Sequence, residues 1–174
     1  TQKQFWLVSH LMAKNPAYNI PLGFIADASL NVDALKKAVA LLVERHEVLR
    51  MTFHWVDGEL EQHLAEDYTF TIAQESIPAG ADLKTFAQQL CEMKFELAEH
   101  PGFVARCFSL DDGRYFVFFC FHHIIVDHRA VLTFEEEFKS AYTVLAAGQE
   151  PVLDEVAVQF GDFVLWRNEN YPPE

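Results

Sequence analysis

The chain has 174 residues, 51% of them hydrophobic and 14% aromatic, with sixteen Phe, enough apolar mass to bury a sizeable core as one globular unit. A formal net charge of −13 repels phosphate backbones and anionic lipid surfaces, which argues against nucleic-acid or membrane partners. No stretch reaches the roughly 18–20 continuous apolar residues of a membrane span, and Cys91, Cys107 and Cys120 match no CxxC or Cys/His ligand spacing, so they read as reduced, core-filling thiols of a cytoplasmic protein.

Thr1 rather than Met opens the chain, already inside an amphipathic pattern, which implies that the natural N-terminus and any targeting segment lie upstream. Phe5, Leu7, Val8, Leu11 and Met12 recur at near-helical spacing over Thr1 to Lys14, and Asn15-Pro16 stops the pattern. Tyr18 to Ala26 reads as a strand. Asn31 caps a predicted helix from Val32 to about Glu44, with Leu35, Val39, Leu42 and Val43 on one stripe and Lys36, Lys37 and Glu44 toward water. Arg45-His46-Glu47 ends it, and Arg45 and His46 complement the carbonyl end of its dipole.

Leu49 to Val56, the Asp57-Gly58 turn and Glu59 to Leu64 predict a two-residue hairpin, and Thr69 to Ile72 a further short strand. Pro78 and Gly80 mark a loop before a helix capped by Asp82, running from Leu83 to about Leu97. Phe103 to Leu110 and Arg114 to Phe121 flank Asp111-Asp112-Gly113 as a second hairpin. Arg129 to Ala147 predicts a third long helix with Gly148 as its stop, and its Glu135 to Glu137 read as a solvated face. After a polar loop, Phe160 to Arg167 gives a last short helix. Helices and antiparallel hairpins in mixed order, without repeats or long linkers, indicate a single α+β layered unit over residues 1–174.

The second hairpin delivers an almost wholly apolar run, Tyr115 to Phe121, straight into His122-His123-Ile124-Ile125-Val126-Asp127-His128. Burying unpaired polar groups costs roughly 2–7 kcal/mol each, so such a cluster is either carefully satisfied or put to use, and imidazole exchanges its proton near neutral pH. Four candidate metal ligands stand here, but neighbours on an extended chain point to opposite faces, so His122 and His123 do not readily grip one ion. No GxSxG elbow or other Gly-framed nucleophile supports a Ser-His-Asp hydrolase. Asp127 can orient an imidazole or anchor the loop to a cation, and guanidinium is the best-suited partner for a carboxylate held in an apolar loop.

His122 to Asp127 resembles the HHxxxDG signature of the condensation domains of nonribosomal peptide synthetases, chloramphenicol-acetyltransferase-like acyltransferases. Four other segments are similar to family motifs, in the same order. Arg45 to Phe53 resembles RHExLRTxF with Met51 in place of a Thr, and Thr1 to Trp6 resembles the tail of AQxRLW with Gln4 in place of the Arg. Asn15 to Pro21 is similar to PAYNIP, and Phe160 to Trp166 to YxDYAxW.

The resemblance implies a chloramphenicol-acetyltransferase-like layered fold, a mixed, mostly antiparallel sheet with helices packed on it. It also implies a domain of two similar lobes with a tunnel between them, of which residues 1–174 are the N-terminal lobe. The implied reaction is amide-bond formation between a donor acyl or peptidyl thioester and an acceptor aminoacyl thioester. Donor and acceptor carrier proteins, the C-terminal lobe and adjacent synthetase domains are the implied partners. No cofactor is bound in this reading; phosphopantetheine arrives on the carriers.

By position, the resemblance puts His123 beside the attacking nitrogen, as general base or as a group that holds the amine and stabilises charge. His122 becomes structural, and Asp127 pairs with Arg45 to hold the loop. His128 stands where the family has Gly, a residue used where φ is positive or a neighbour passes close to the backbone. The imidazole is therefore expected either to strain the turn or to protrude toward the acceptor side. That departure favours a noncatalytic recruitment module as an alternative; an O-acyltransferase lobe is another.

Overall fold

The computed structural model describes residues 2–11, 16–65, 68–78 and 80–171. In chain order the elements are α1 (Gln2–Leu11), β1 (Asn19–Ala26), α2 (Val32–Arg45), β2 (Met51–Val56), β3 (Glu59–Leu64), β4 (Ala73–Ser76), α3 (Leu83–Cys91), β5 (Phe103–Ser109), β6 (Tyr115–His122), α4 (His128–Ala146) and α5 (Phe160–Asn170). The expected α+β organisation is present. Thr1 and Met12 to Asn15, ends of the first predicted helix, lie outside the described residues.

Four strands form one sheet in the order β1-β6-β5-β4, antiparallel except for the parallel β4–β5 pair, and β2–β3 form a separate hairpin. Asp57 and Gly58 both have positive φ, the backbone that matches a tight hairpin to strand twist and explains why this dipeptide stands there. β6 is buried on both faces, so its apolar residues run continuously instead of alternating. Val117, Phe119 and Phe121 face the larger core with Phe103, Phe134 and Phe138. Phe108, Phe116, Phe118 and Cys120 face a second cluster under Phe86 and Leu90 of α3. The sheet is thus a middle layer between α2 and α4 on one side and α3 on the other. Fully burying each such Phe stabilises by roughly 1.5–3 kcal/mol.

Asn31 and Asp82 cap α2 and α3 as their sequences predict, accepting from Ala34 N at 3.0 Å and Thr85 N at 2.9 Å. α3 stops at Cys91, well short of the predicted Leu97. Asn19 Nδ2 donates to the carbonyls of Cys91 at 2.8 Å and Met93 at 2.7 Å, satisfying the helix end there. The residues beyond turn away, and Leu97 O accepts from Phe53 N at 2.8 Å. The short strand falls at Ala73–Ser76 rather than Thr69–Ile72. Phe70 and Ile72 dock into the core instead, Phe70 stacking on Phe103 with ring centroids 5.3 Å apart. The ladder to β5 starts only at Ala73 opposite Arg106, on an exposed edge without an apolar alternation to announce it.

Candidate functional site

The motif sits where β6 leaves the sheet. His122 is its last residue, paired with Asn19 across β1, and its N–H donates to Gly102 O at 2.8 Å. The chain then turns: Ile125 N donates to His122 O at 3.0 Å, and Ile124, Ile125 and Val126 bury their side chains. Asp127 is extended and its carboxylate accepts from Ala130 N at 2.8 Å, capping α4. Gly102 lies directly beneath; a Cβ there would stand 3.3 Å from His122 Cβ and 3.4 Å from both Ile125 and Leu97.

His122 is 4% exposed. Its Nδ1 accepts from Ile124 N–H at 3.1 Å, so the ring proton is on Nε2, which donates to Ser9 Oγ at 2.9 Å. Burial, and then the neighbouring His123 charge, push its pKa down to about 4. It is a neutral, doubly bonded bolt between β6 and α1.

His123 takes the other side. Its backbone N donates to Tyr18 O at 2.8 Å and its Nδ1 donates to Val126 O at 2.7 Å. Nε2 has no hydrogen-bond partner among the described residues. One face of the ring is covered by Phe5, with centroids 4.9 Å apart and planes 19° apart. The half-buried ring lines an open cleft of about 260 Å³ with Gln2, Phe5, the 124–127 turn, Ala130 and Phe160. Gln2 Nε2 bonds Ile124 O at 3.0 Å and so joins α1 to the turn. The two imidazoles therefore do not converge, and among the described residues no three His, Cys, Asp or Glu side chains come together as metal ligands.

The expected Arg45–Asp127 pair is not formed. Asp127 is turned onto the α4 backbone, while Arg45 Nε bonds Glu137 Oε1 at 3.3 Å and His46 Nε2 bonds Glu137 Oε2 at 2.6 Å. The physical reason is helix packing: α2 lies against α4, and the C-terminal end of α2 meets Glu137 in the middle of α4, where that carboxylate is 19% exposed. Glu137 accordingly does not belong to a solvated face. Its place one turn after Phe134 and one before Ala141, both buried, is the sequence signal that marks it. Arg45 stands in the last turn of α2 as expected, and Arg50 joins it at the carbonyl end, reaching back to Val43 O and Glu44 O at 3.1 and 3.2 Å. Gln159 adds a second clip, donating to Arg45 O at 3.0 Å and placing Phe160 at the rim of the cleft.

His128 neither strains the turn nor enters the cleft. It is the first residue of α4, exposed, with φ outside the positive region, and it does not line the space around His123. A helix start needs no Gly.

The family described as Condensation domain matches residues 1–173. Tyrocidine synthase 3 of Brevibacillus parabrevis is 29% identical over 173 residues, covering 99% of this chain and 2% of that protein. A dimodular nonribosomal peptide synthase of Bacillus subtilis (strain 168) is 29% identical over 169 residues, 97% of this chain and 7% of its own. Among solved structures, the X-domain from teicoplanin biosynthesis superposes with a TM-score of 0.84 at 22% identity, over 99% of this chain and 39% of that one. The starter condensation domain of rhizomide synthetase RzmA does so with a TM-score of 0.81 at 19% identity, over 99% and 42%. The chain thus spans a small part of its curated relatives and under half of these solved chains. With the motifs in order, the β6 end built around them and the match running from one end to the other, the chain belongs to the condensation domain family of nonribosomal peptide synthetases.

Proposed function

We propose that this chain is the N-terminal lobe of a condensation domain that joins a carrier-bound acyl or peptidyl thioester to a carrier-bound aminoacyl thioester. The observation that carries the reading is the division of labour at His122 and His123. One ring is closed off by two hydrogen bonds, and the other keeps Nε2 free at the edge of an open cleft.

With Nδ1–H committed to Val126 O, His123 Nε2 carries the lone pair. An acceptor amine entering the cleft donates to it, attacks the donor thioester carbonyl and forms the C–N bond. The proton shed by nitrogen passes to Nε2 and on to the departing thiolate as the C–S bond breaks, so the ring is regenerated. The second lobe supplies the opposite wall of the tunnel, and the phosphopantetheine arms arrive with the two carriers. The isolated lobe is expected to show little turnover.

The deciding experiment is product formation by the complete two-lobed domain from two loaded carriers. His123→Ala should lower the rate by about 10²–10⁴-fold, the range of a lost proton-transfer group. Unchanged turnover removes the role of His123. No product from the wild type, with carrier or tailoring-enzyme binding intact, identifies a recruitment module. Preference for an alcohol over an amine identifies an O-acyltransferase.

A further inference from the structure

α1 buries no residue completely, yet it forms one wall of the cleft. A helix docked this lightly is held by a few specific contacts. Two of them stand one turn apart on the same face: Ser9, bonded to His122, and Phe5, stacked on His123.

Resting on the reading that His123 carries the chemistry, we propose that Ser9 and Phe5 are positioning residues that fix the His123 ring and its tautomer from the α1 side. Ser9 Oγ donates to Phe5 O at 2.8 Å, which commits its proton. The hydroxyl is left only as an acceptor, and the group in front of it is His122 Nε2–H at 2.9 Å. That proton is on Nε2 because Ile124 N–H occupies Nδ1. The direction of every bond in the row Ile124 N–H, His122, Ser9, Phe5 O is therefore determined, and the row ties α1 to the end of β6 at Ser9.

Seating α1 places the Phe5 ring. It lies flat on His123 and meets Tyr18 edge-on, with centroids 5.0 Å and planes 79° apart. Tyr18 in turn accepts the His123 backbone N–H through its carbonyl. His123 is thus held at its backbone by Tyr18, at Nδ1 by Val126 O and on its face by Phe5. The one group left is Nε2. If Ser9 releases α1, Phe5 leaves the ring face, the imidazole rotates, and the nitrogen turned to the cleft is no longer always the bare one. Gln62 supports the same geometry: its Nε2 donates to Gln2 Oε1 at 3.0 Å, and Gln2 holds Ile124 O.

The test combines imidazole 15N–1H correlation spectra of this chain with steady-state kinetics of the complete domain. In the wild type His123 should show a single tautomer protonated at Nδ1, and its Hε1 proton the upfield shift of a stacked ring. Ser9→Ala should mix the tautomers of His123 and lower kcat about tenfold, while His122, still held at Nδ1 by Ile124 N–H, keeps its proton on Nε2 and KM for the loaded carriers stays within about twofold. Ser9→Thr, which keeps the hydroxyl, should restore both readouts. Phe5→Leu keeps apolar bulk on α1 and should remove the ring-current shift and mix the His123 tautomers while leaving His122 intact. A wild-type His123 tautomer in folded Ser9→Ala overturns the proposal; should that variant unfold, an unaltered His123 tautomer in Phe5→Leu overturns it instead. Turnover indifferent to His123→Ala would remove the catalytic reading alone, since the spectra report the clamp independently.

Discussion

His122 and His123 are hydrogen-bonded through opposite roles of the same atom: Nδ1 of His122 accepts from the Ile124 N–H at 3.1 Å, whereas Nδ1 of His123 donates to the Val126 carbonyl at 2.7 Å. One turn thus sets opposite tautomers on adjacent rings, proton on Nε2 in the first and lone pair on Nε2 in the second. This relationship predicts that the first ring is a stability element and the second a reactive one.

The pH dependence of stability follows from the first ring. Folded His122 has its pKa pushed from 6.5 down to about 4, so the unfolded chain binds the extra proton between those values and the folded chain does not. Its contribution is complete above pH 6.5 and is lost as pH falls toward about 4, a loss of about 3 kcal/mol in order of magnitude. Urea unfolding between pH 4 and 7 should show this slope, and His122→Gln, which cannot titrate there, should flatten it.

Glu137 is the second point of leverage, because it joins α4 to both Arg45 and His46. Glu137→Ala should destabilise by about 2 kcal/mol, the scale of hydrogen bonds to charged groups away from bulk water. Arg45→Ala should cost a similar amount and be strongly non-additive with it in a double-mutant cycle. Asp127→Ala, by contrast, should cost about 1 kcal/mol, the loss of an N-cap, and add independently to Arg45→Ala. Coupling between Arg45 and Asp127 instead would contradict the arrangement.

Beneath the turn, Gly102 is closely packed, and a methyl group there would press on His122 Cβ at 3.3 Å, so that side chain would have to give by a few tenths of an ångström. Gly102→Ala should destabilise by about 1–3 kcal/mol through overpacking against His122, Ile125 and Leu97, measured as a lowered denaturation midpoint with unchanged slope.

His128→Gly offers a discriminating result. Because His128 opens α4 without positive φ and stands outside the cleft, turnover of the complete domain should stay within about threefold and stability should fall by less than about 1 kcal/mol. A large gain in rate would show that this imidazole obstructs the acceptor path.

The element plan was largely legible from local patterning. The Asn31 and Asp82 caps, the Asp57-Gly58 turn and the continuous apolar run of β6 each act within a few residues, and each marks its element where the structure has it. The errors came where a distant residue intervenes. Asn19 ends α3 from another strand, β4 pairs on an edge with no apolar alternation, and Phe70 and Ile72 serve the core without joining a ladder.

At the site, the same boundary holds. Covalent order by itself placed His122 and His123 at the end of a buried strand, whose two-residue period runs through His122, and the turn that begins at His123 carries the second ring to the cleft. Only the tertiary structure decided which carboxylate Arg45 meets, which nitrogen of each imidazole carries the proton, and that Ser9 and Phe5 stand over the pair. The Arg45 partner and the covering of the two rings depend on how α1, α2 and α4 are seated against partners far away in the chain, Ser9 and His122 being 113 positions apart, while the tautomers follow from how the 122–126 turn folds back on its own backbone. Hydrogen bonds a few ångströms long register that seating, and the spacing of letters does not.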